Sequence, residues 1–164
     1  MTRRLEARQV EAFFAGAVDG DTVALSSTGA TYNNRNVGAA KPVTATGITA
    51  AATNGAATVY GYALSSTSAA GNIGTITAVP LTVTAQTDSR TYNGTTSSAV
   101  APILTGTTYD AVGTAATQTY DTRNAGIGKT LTASGLVMND GNAGANYAIS
   151  YVNNTTGVIT PAAL

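Results

Sequence analysis

The sequence predicts an all-β fold of two tandem small modules, and composition, turn spacing and internal repetition each indicate it. Thr, Ala, Gly, Ser and Asn dominate the 164 residues, whereas Leu, Glu and Lys, which favour helices, are scarce. Dipeptides typical of tight turns recur as Asp19-Gly20, Asn54-Gly55, Asn93-Gly94 and Asp140-Gly141. Such closely spaced turns favour antiparallel sheets, in an immunoglobulin-like sandwich as our first choice or a β-grasp-like module as the alternative.

An internal repeat is the strongest signal in the chain. Residues 31–47 match residues 119–135 at nine of seventeen positions without a gap. The match contains the signature Tyr-x-x-Arg-Asn-x-Gly, formed by Tyr32, Arg35, Asn36 and Gly38 and again by Tyr120, Arg123, Asn124 and Gly126. Repetition of this kind predicts an array in which each module contacts its neighbours.

The segments of the chain follow from this register. Residues 1–14 match neither copy. One side of a short helix there would be lined by Leu5, Val10, Phe13 and Phe14, and the segment is either a helical cap or a non-native leader. Residues 15–80 form an incomplete first repeat, because the Tyr92-Asn93-Gly94 element has no counterpart there. Residues 81–164 form the second repeat, and we expect a third copy to begin where the chain ends.

Eight strands are predicted by short alternating or β-branched runs between turns, at residues 22–25, 42–45, 59–64, 74–78, 81–85, 130–133, 147–152 and 157–160. In residues 81–85, Leu81 and Val83 face one side and two threonines the other, as in a half-buried strand. Pro80 marks the module boundary, because proline cannot donate a hydrogen bond within a central strand.

Charge and composition argue against several classes of function. Lys+Arg and Asp+Glu both number 8, so there is no basic field for nucleic acid. The chain has no Cys and no His, which excludes disulfides, thiolate catalysis and thiolate zinc sites. The sequence contains no run of 18 apolar residues, so it predicts no helix that crosses a membrane. The basic start is not followed by the apolar core of a signal peptide.

Catalytic and metal chemistry find little support. The carboxylates are scattered, and the one close pair, Asp19 and Asp21, is more typical of a solvated turn. We therefore predict no catalytic residue, no cofactor and no enzyme. Asp140 and Asn142, with Asn146 nearby, offer oxygen ligands to calcium but lack the bidentate Glu of a dedicated loop, so we favour a plain turn.

Two further patterns each have a structural and a functional interpretation. Asn93 and Asn154 begin Asn-x-Thr sequences that satisfy the acceptor pattern for glycosylation, but chance matches are expected in a chain so rich in Asn and Thr. For Asn93 we favour a turn role. The signature arginines would contact a ligand, or would pack on the signature tyrosines or pair with a carboxylate. We favour the structural role for the whole signature, including Tyr92, Asn93 and Gly94.

The second copy carries a recognisable family pattern. It combines Arg90-Thr91-Tyr92-Asn93-Gly94-Thr95-Thr96, Leu104-Thr105-Gly106, the signature around Tyr120, Lys129 and Ile159-Thr160-Pro161-Ala162. This pattern resembles the YDG-type repeat of filamentous haemagglutinin-like bacterial surface adhesins, which is similar in style to MBG repeats. The family's Tyr-Asp-Gly is Tyr92-Asn93-Gly94 here, and the asparagine keeps the turn chemistry.

The resemblance implies a secreted or cell-surface stalk region that spaces or presents adhesive regions, with neighbouring repeats as its partners. The export signal would then lie outside this chain. An alternative is a module of the same adhesin that binds a host glycan or surface protein, which predicts an exposed aromatic side chain or a concave patch. A more remote alternative is a calcium-stabilised module.

Overall fold

The computed structural model describes residues 20–164, and every regular element in this range is a β-strand. The predicted all-β class is confirmed, while the helix considered for residues 5–14 lies outside the described range. The described part of the chain divides into two compact units, residues 20–33 with 41–74 and residues 34–40 with 75–164. No helix that would be long and apolar enough to cross a membrane occurs among the described residues.

The first unit contains two three-stranded sheets. Its strands are β1 (Thr22–Ser26), β2 (Gly29–Tyr32), β3 (Gly38–Thr46), β4 (Thr49–Asn54), β5 (Ala57–Val59) and β6 (Ser68–Ile76). The orders are β1-β4-β5 and β2-β3-β6. Among its described residues, Val43 and Ala52 are the buried apolar side chains, so this part of the unit has a thin core.

The second unit contains nine strands. They are β7 (Val79–Thr84), β8 (Ser89–Thr91), β9 (Ile103–Thr105), β10 (Val112–Thr114), β11 (Thr117–Tyr120), β12 (Gly126–Ser134), β13 (Val137–Met138), β14 (Tyr147–Val152) and β15 (Asn154–Thr160). The larger sheets have the orders β11-β12-β15-β8 and β14-β7-β9, and β10 pairs with β13.

One apolar core joins the two larger sheets of the second unit. Leu81 and Val83 of β7 pack with Leu131 of β12 and Ile159 of β15, each at most 2% exposed. Alternation along β7 explains this, because Thr82 and Thr84 point to the opposite face and are half-buried. Two sheets around one core form the two-layer arrangement of a sandwich.

The strand pairing departs from the predicted antiparallel pattern at two places. β14 runs parallel to β7, with Tyr147 beside Val79 and Val152 beside Thr84, and β15 runs parallel to β8. Parallel neighbours require a long connection, and more than 60 residues separate the partners. The remaining paired strands for which the register is defined are antiparallel.

Two details of the predicted strands are also wrong. The strand expected at residues 59–64 ends at Val59, and Pro80 lies inside β7 instead of before it. Pro80 is tolerated because β9 pairs only with residues 82–84 of β7, so one edge is free of a partner at Pro80. Seven strands were not predicted, namely β2, β4, β8, β9, β10, β11 and β13. In β4, for example, a run of Ala and Thr offers no apolar alternation.

Candidate functional site

The signature Arg and Asn of the second repeat lie in the loop between β11 and β12. Buried Lys129 braces this loop, with its Nζ 2.9 Å from Oδ1 of Asp121 and a further hydrogen bond to Thr122 Oγ1. The hydrogen bond from Lys129 is the main cause that lowers the pKa of Asp121. Gly128, at φ 66° in a bulge of β12, precedes the lysine. The loop is therefore held in shape by its own module.

The corresponding loop of the first repeat, residues 34–40, belongs by structure to the second unit. Arg35 Nη2 lies 2.9 Å from Oδ1 of Asp110 and donates a 2.8 Å hydrogen bond to the carbonyl oxygen of Asp140. The backbone N–H of Val37 donates to Asn146 Oδ1 at 2.8 Å, and Asn146 Nδ2 donates to Asn36 at 3.3 Å. We call Asp110, Asp140 and Asn146 the arginine socket.

The socket is preformed by hydrogen bonds within the second repeat. Tyr147, buried at the start of β14, donates its hydroxyl to Asp110 Oδ2 at 2.9 Å. The same hydroxyl accepts the backbone N–H groups of Tyr109 and Asp110 at 2.9 and 3.0 Å. The Asp110 side chain is 13% exposed, so solvent screens its pairing with Arg35 less than that of a surface pair.

Asp140 organises the other wall of the socket. Its Oδ1 accepts the backbone N–H groups of Asn142 and Gly144, both at 2.8 Å, and its Oδ2 accepts that of Asn146 at 2.9 Å. Burial opposes ionisation, but these backbone hydrogen bonds outweigh it and lower the pKa of Asp140. The carboxylate thus fixes the turn that presents Asn146 to the Arg35 loop.

This geometry bears on the calcium candidates. Both Asp140 oxygens are engaged by backbone amides, and Asn142 Nδ2 donates to Asn146 Oδ1 at 3.1 Å. Within residues 20–164, no cluster of three or more His, Cys, Asp or Glu side chains is placed to hold a metal ion. The arrangement is that of a self-satisfied turn.

Asp21 in the first unit has surroundings like those of Asp110. Tyr62 donates its hydroxyl to Asp21 Oδ2 at 2.8 Å, as Tyr147 does to Asp110. The position that Arg35 takes beside Asp110 is occupied at Asp21 by Asn54, whose Nδ2 donates to Oδ1 at 2.9 Å. Asp19, the other member of the pair noted in the sequence, lies outside the described residues.

Arg123 and Asn124 have no counterpart of these contacts. Both are exposed, and among residues 20–164 neither side chain has a hydrogen-bond or ion-pair partner. The structure therefore separates two copies of one signature, of which the first is engaged in the socket and the second faces solvent.

A different arginine lies over the signature tyrosine. The Arg90 guanidinium is 5.0 Å from the centroid of the Tyr120 ring, the contact considered for Arg123 in the sequence. Arg90 also donates to Asn93 Oδ1 and to the carbonyl oxygen of Thr95. Burial, followed by the charge of Asp88, raises the pKa of Tyr120. Arg90 thus ties the Tyr92-Asn93-Gly94 turn to β11.

The two glycosylation candidates share one local geometry. Asn93 Oδ1 accepts the backbone N–H and the hydroxyl of Thr95 at 3.1 and 2.9 Å. Asn154 Oδ1 accepts the same two groups of Thr156, both at 2.8 Å. In each case the threonine two positions on closes an Asx turn, so the Asn-x-Thr spacing has a structural explanation.

Sequence reasoning missed Asp110 in the socket, the Tyr147 hydroxyl that binds it, and the role of Arg90. A usable signal was present, because Asp21 precedes β1 and Asp110 precedes β10, and Tyr62 corresponds to Tyr147 in the alignment of the two repeats. Those residues are remote in sequence from the arginine that they receive, so the pattern of one repeat does not reveal the contact.

Comparison with known proteins gives one match. The family model described as YDG domain matches residues 2–70 and again residues 77–156. No curated protein and no solved structure matches the chain. The two matched segments correspond to the two copies of the signature.

Proposed function

The chain belongs to the YDG domain family, and from this premise we propose that it is a structural spacer in the stalk of a filamentous haemagglutinin-like bacterial surface adhesin. In this proposal it acts outside the cell, has no catalytic activity, and works by carrying tension and setting distance. Its partners are neighbouring repeats of the same array.

The observation that carries the proposal is the parallel pairing of β7 with β14 and of β8 with β15 in the second unit. Residues 79–92 run beside residues 146–160 from one sheet into the other. Backbone hydrogen bonds continue across the change of sheet, from Ala85 N to Val152 O and from Val158 N to Asp88 O, both at 2.9 Å. Two parallel ladders, one in each sheet, therefore follow one another along the same two segments of the unit.

This geometry suits a chain under tension. Because the paired strands run in the same direction, the N-terminal end of β7 and the C-terminal end of β15 lie at opposite ends of the paired segments. A pull on these two ends therefore slides one segment along the other and loads many hydrogen bonds together. A pull on two directly paired residues would instead break them one after another. The ladders are reinforced by hydroxyl contacts, including Thr82 to Ser150 at 3.1 Å and Thr87 to Thr156 at 2.5 Å.

Single-molecule pulling tests the mechanical part of the proposal. Because the chain has no cysteine, handles can be attached at introduced pairs. Pro80→Cys with Thr160→Cys loads the ladders in shear, whereas Pro80→Cys with Ala148→Cys pulls apart two directly paired residues. All three positions are exposed. We expect the shear pair to unfold at a force several-fold higher than the peeling pair.

Equal forces in the two directions would remove the support for a tension-bearing spacer. The location is tested separately, by labelling intact cells of the source organism with antibody raised against the purified chain. Surface labelling that external protease removes is the expected result, and labelling only after lysis would contradict the proposal.

A second candidate function is a binding module of the same adhesin. Tyr60 is 91% exposed and Tyr109 is 52% exposed, and exposed aromatic rings are common contacts for sugars and proteins. Glycan-array binding that is lost in Tyr60→Ala or Tyr109→Ala, with the unfolding midpoint unchanged, would favour this function. Absence of binding in the unmodified chain would leave the spacer role as the better account.

A further inference from the structure

We propose that the Arg123-Asn124 loop of the second repeat docks into the arginine socket of another YDG module, as the Arg35 loop does within the second unit. The inference rests on the proposed function in one respect, that YDG modules follow one another in an array. It names the contact that joins consecutive modules.

The two loops are alike in sequence and in the buried lysine that follows each of them. Arg35, Asn36 and Gly38 correspond to Arg123, Asn124 and Gly126 in the gapless alignment of the repeats. Each loop is followed by a lysine that is at most 9% exposed, Lys41 in the first copy and Lys129 in the second. The second loop therefore offers the same hydrogen-bond donors and is followed by a buried lysine in the same position.

The chemistry of the occupant follows from the engaged loop. A partner must offer a carboxylate and a backbone carbonyl to the guanidinium, and an amide oxygen to the N–H group two residues after the arginine. The arginine socket meets these requirements, because Tyr147 and the Asp140 turn hold its acceptors in place through hydrogen bonds that do not involve the arginine. Less conformational freedom is then lost on docking.

The donor loop and the socket are different surfaces, so the contact is head-to-tail. A heterologous contact of this type does not close on itself and extends into a linear assembly. A single exposed arginine binds weakly between separate molecules, but covalent linkage in an array supplies a high effective concentration of the partner. Docking of this kind stiffens junctions without requiring large interfaces.

The test uses the full chain and an extended form in which residues 82–164 are repeated after Leu164. Arg123→Ala is introduced into both, and unfolding of each module is followed by hydrogen exchange. In the 164-residue chain we expect no change in stability. In the extended chain we expect the opening equilibrium constant of the added module to rise about threefold to tenfold, because a charge-assisted contact is lost.

Arg35→Ala is the matched control, because its socket is present in both forms and it should destabilise the second unit equally in each. Replacing the aspartate of the added copy that corresponds to Asp110 with Asn should reproduce the effect of Arg123→Ala, and the two changes together should cost less than their sum. Exchange of the amides in loop 121–126 should also slow when the third module is added.

Two outcomes would overturn the inference. One is an effect of Arg123→Ala that is the same in both forms; the other is unchanged exchange of loop 121–126 in the extended chain. Neither outcome affects the pulling experiment, which loads strands inside the second unit. A failure of docking is therefore distinguishable from a failure of the spacer function.

Discussion

Gly157 lies where the signature tyrosine packs against the last strand, and its replacement by alanine should destabilise the second unit. A Cβ at this position would lie 3.0 Å from the carbonyl oxygen of Lys129, 3.0 Å from Tyr120 Cε1 and 3.2 Å from Leu131 Cδ1. The oxygen belongs to the directly paired backbone of β12 and cannot rotate away. The first repeat has the same arrangement, with Gly74 against Tyr32 and Val43.

The expected magnitude is the balance of two opposing effects. Overpacking a tight core costs about 1–3 kcal/mol. Replacing glycine also lowers the conformational entropy of the unfolded chain, which stabilises the folded state by about 0.4–1 kcal/mol. The net loss of about 1–2 kcal/mol corresponds to a fall in the thermal midpoint of about 5–15 °C for a unit of this size. Differential scanning calorimetry of the purified variant measures it.

Gly126→Ala is the matched control in the same unit. The nearest atom to its added Cβ would be Lys129 Cδ at 3.7 Å, an ordinary contact, so the midpoint should stay the same or rise slightly. Equal midpoints for Gly157→Ala and the unmodified chain would refute the packing argument. A large fall in the thermal midpoint of Gly126→Ala would show that the signature glycine is needed for a reason other than the space beside it.

Three further predictions follow from local features. Ala40 and Gly128 occupy equivalent positions at φ 50° and 66°, so Ala40→Gly should stabilise and Gly128→Ala destabilise, each by about 1 kcal/mol in urea unfolding. The lowered pKa values of Asp121 and Asp140 mean that each carboxylate stabilises the folded state above its ordinary pKa of 3.8, and that this stabilisation is lost as the pH falls below it. The thermal midpoint should therefore fall steeply below about pH 4, and less steeply in Asp140→Asn. Excess calcium should leave the midpoint unchanged, because the Asp140 oxygens are already bonded; a rise of several degrees would contradict that assignment.

The core of the second unit was largely predictable from sequence. Alternation in residues 81–85 assigns Leu81 and Val83 to the buried face because the side-chain period of a strand is two, and the structure places both at 1% exposure or less. The same rule fails for β4 and for residues 60–64, where small or closely spaced apolar residues carry no clear alternation. An alternating pattern identifies the buried face of a strand only where large apolar side chains alternate with polar ones.

The candidate site was less predictable, because its members come from separate parts of the chain. The repeat identified Arg35 and Arg123 as equivalent residues, but nothing in the repeat distinguishes them. The structure gives Arg35 a carboxylate partner 75 positions away and leaves Arg123 in solvent. A salt bridge between residues far apart in the sequence forms only if the folded sheets bring their loops together. The spatial distance between those loops cannot be read from one sequence.

The sequence by itself determined the all-β class, the two modules and the turn residues, because these depend on backbone preference and on a period of two along each strand. Only the tertiary structure decided that β7 pairs in parallel with β14 and β8 with β15, and that residues 34–40 belong to the second unit. Both are choices of long-range partner, which local propensities leave open and which the shared core and the socket hydrogen bonds settle.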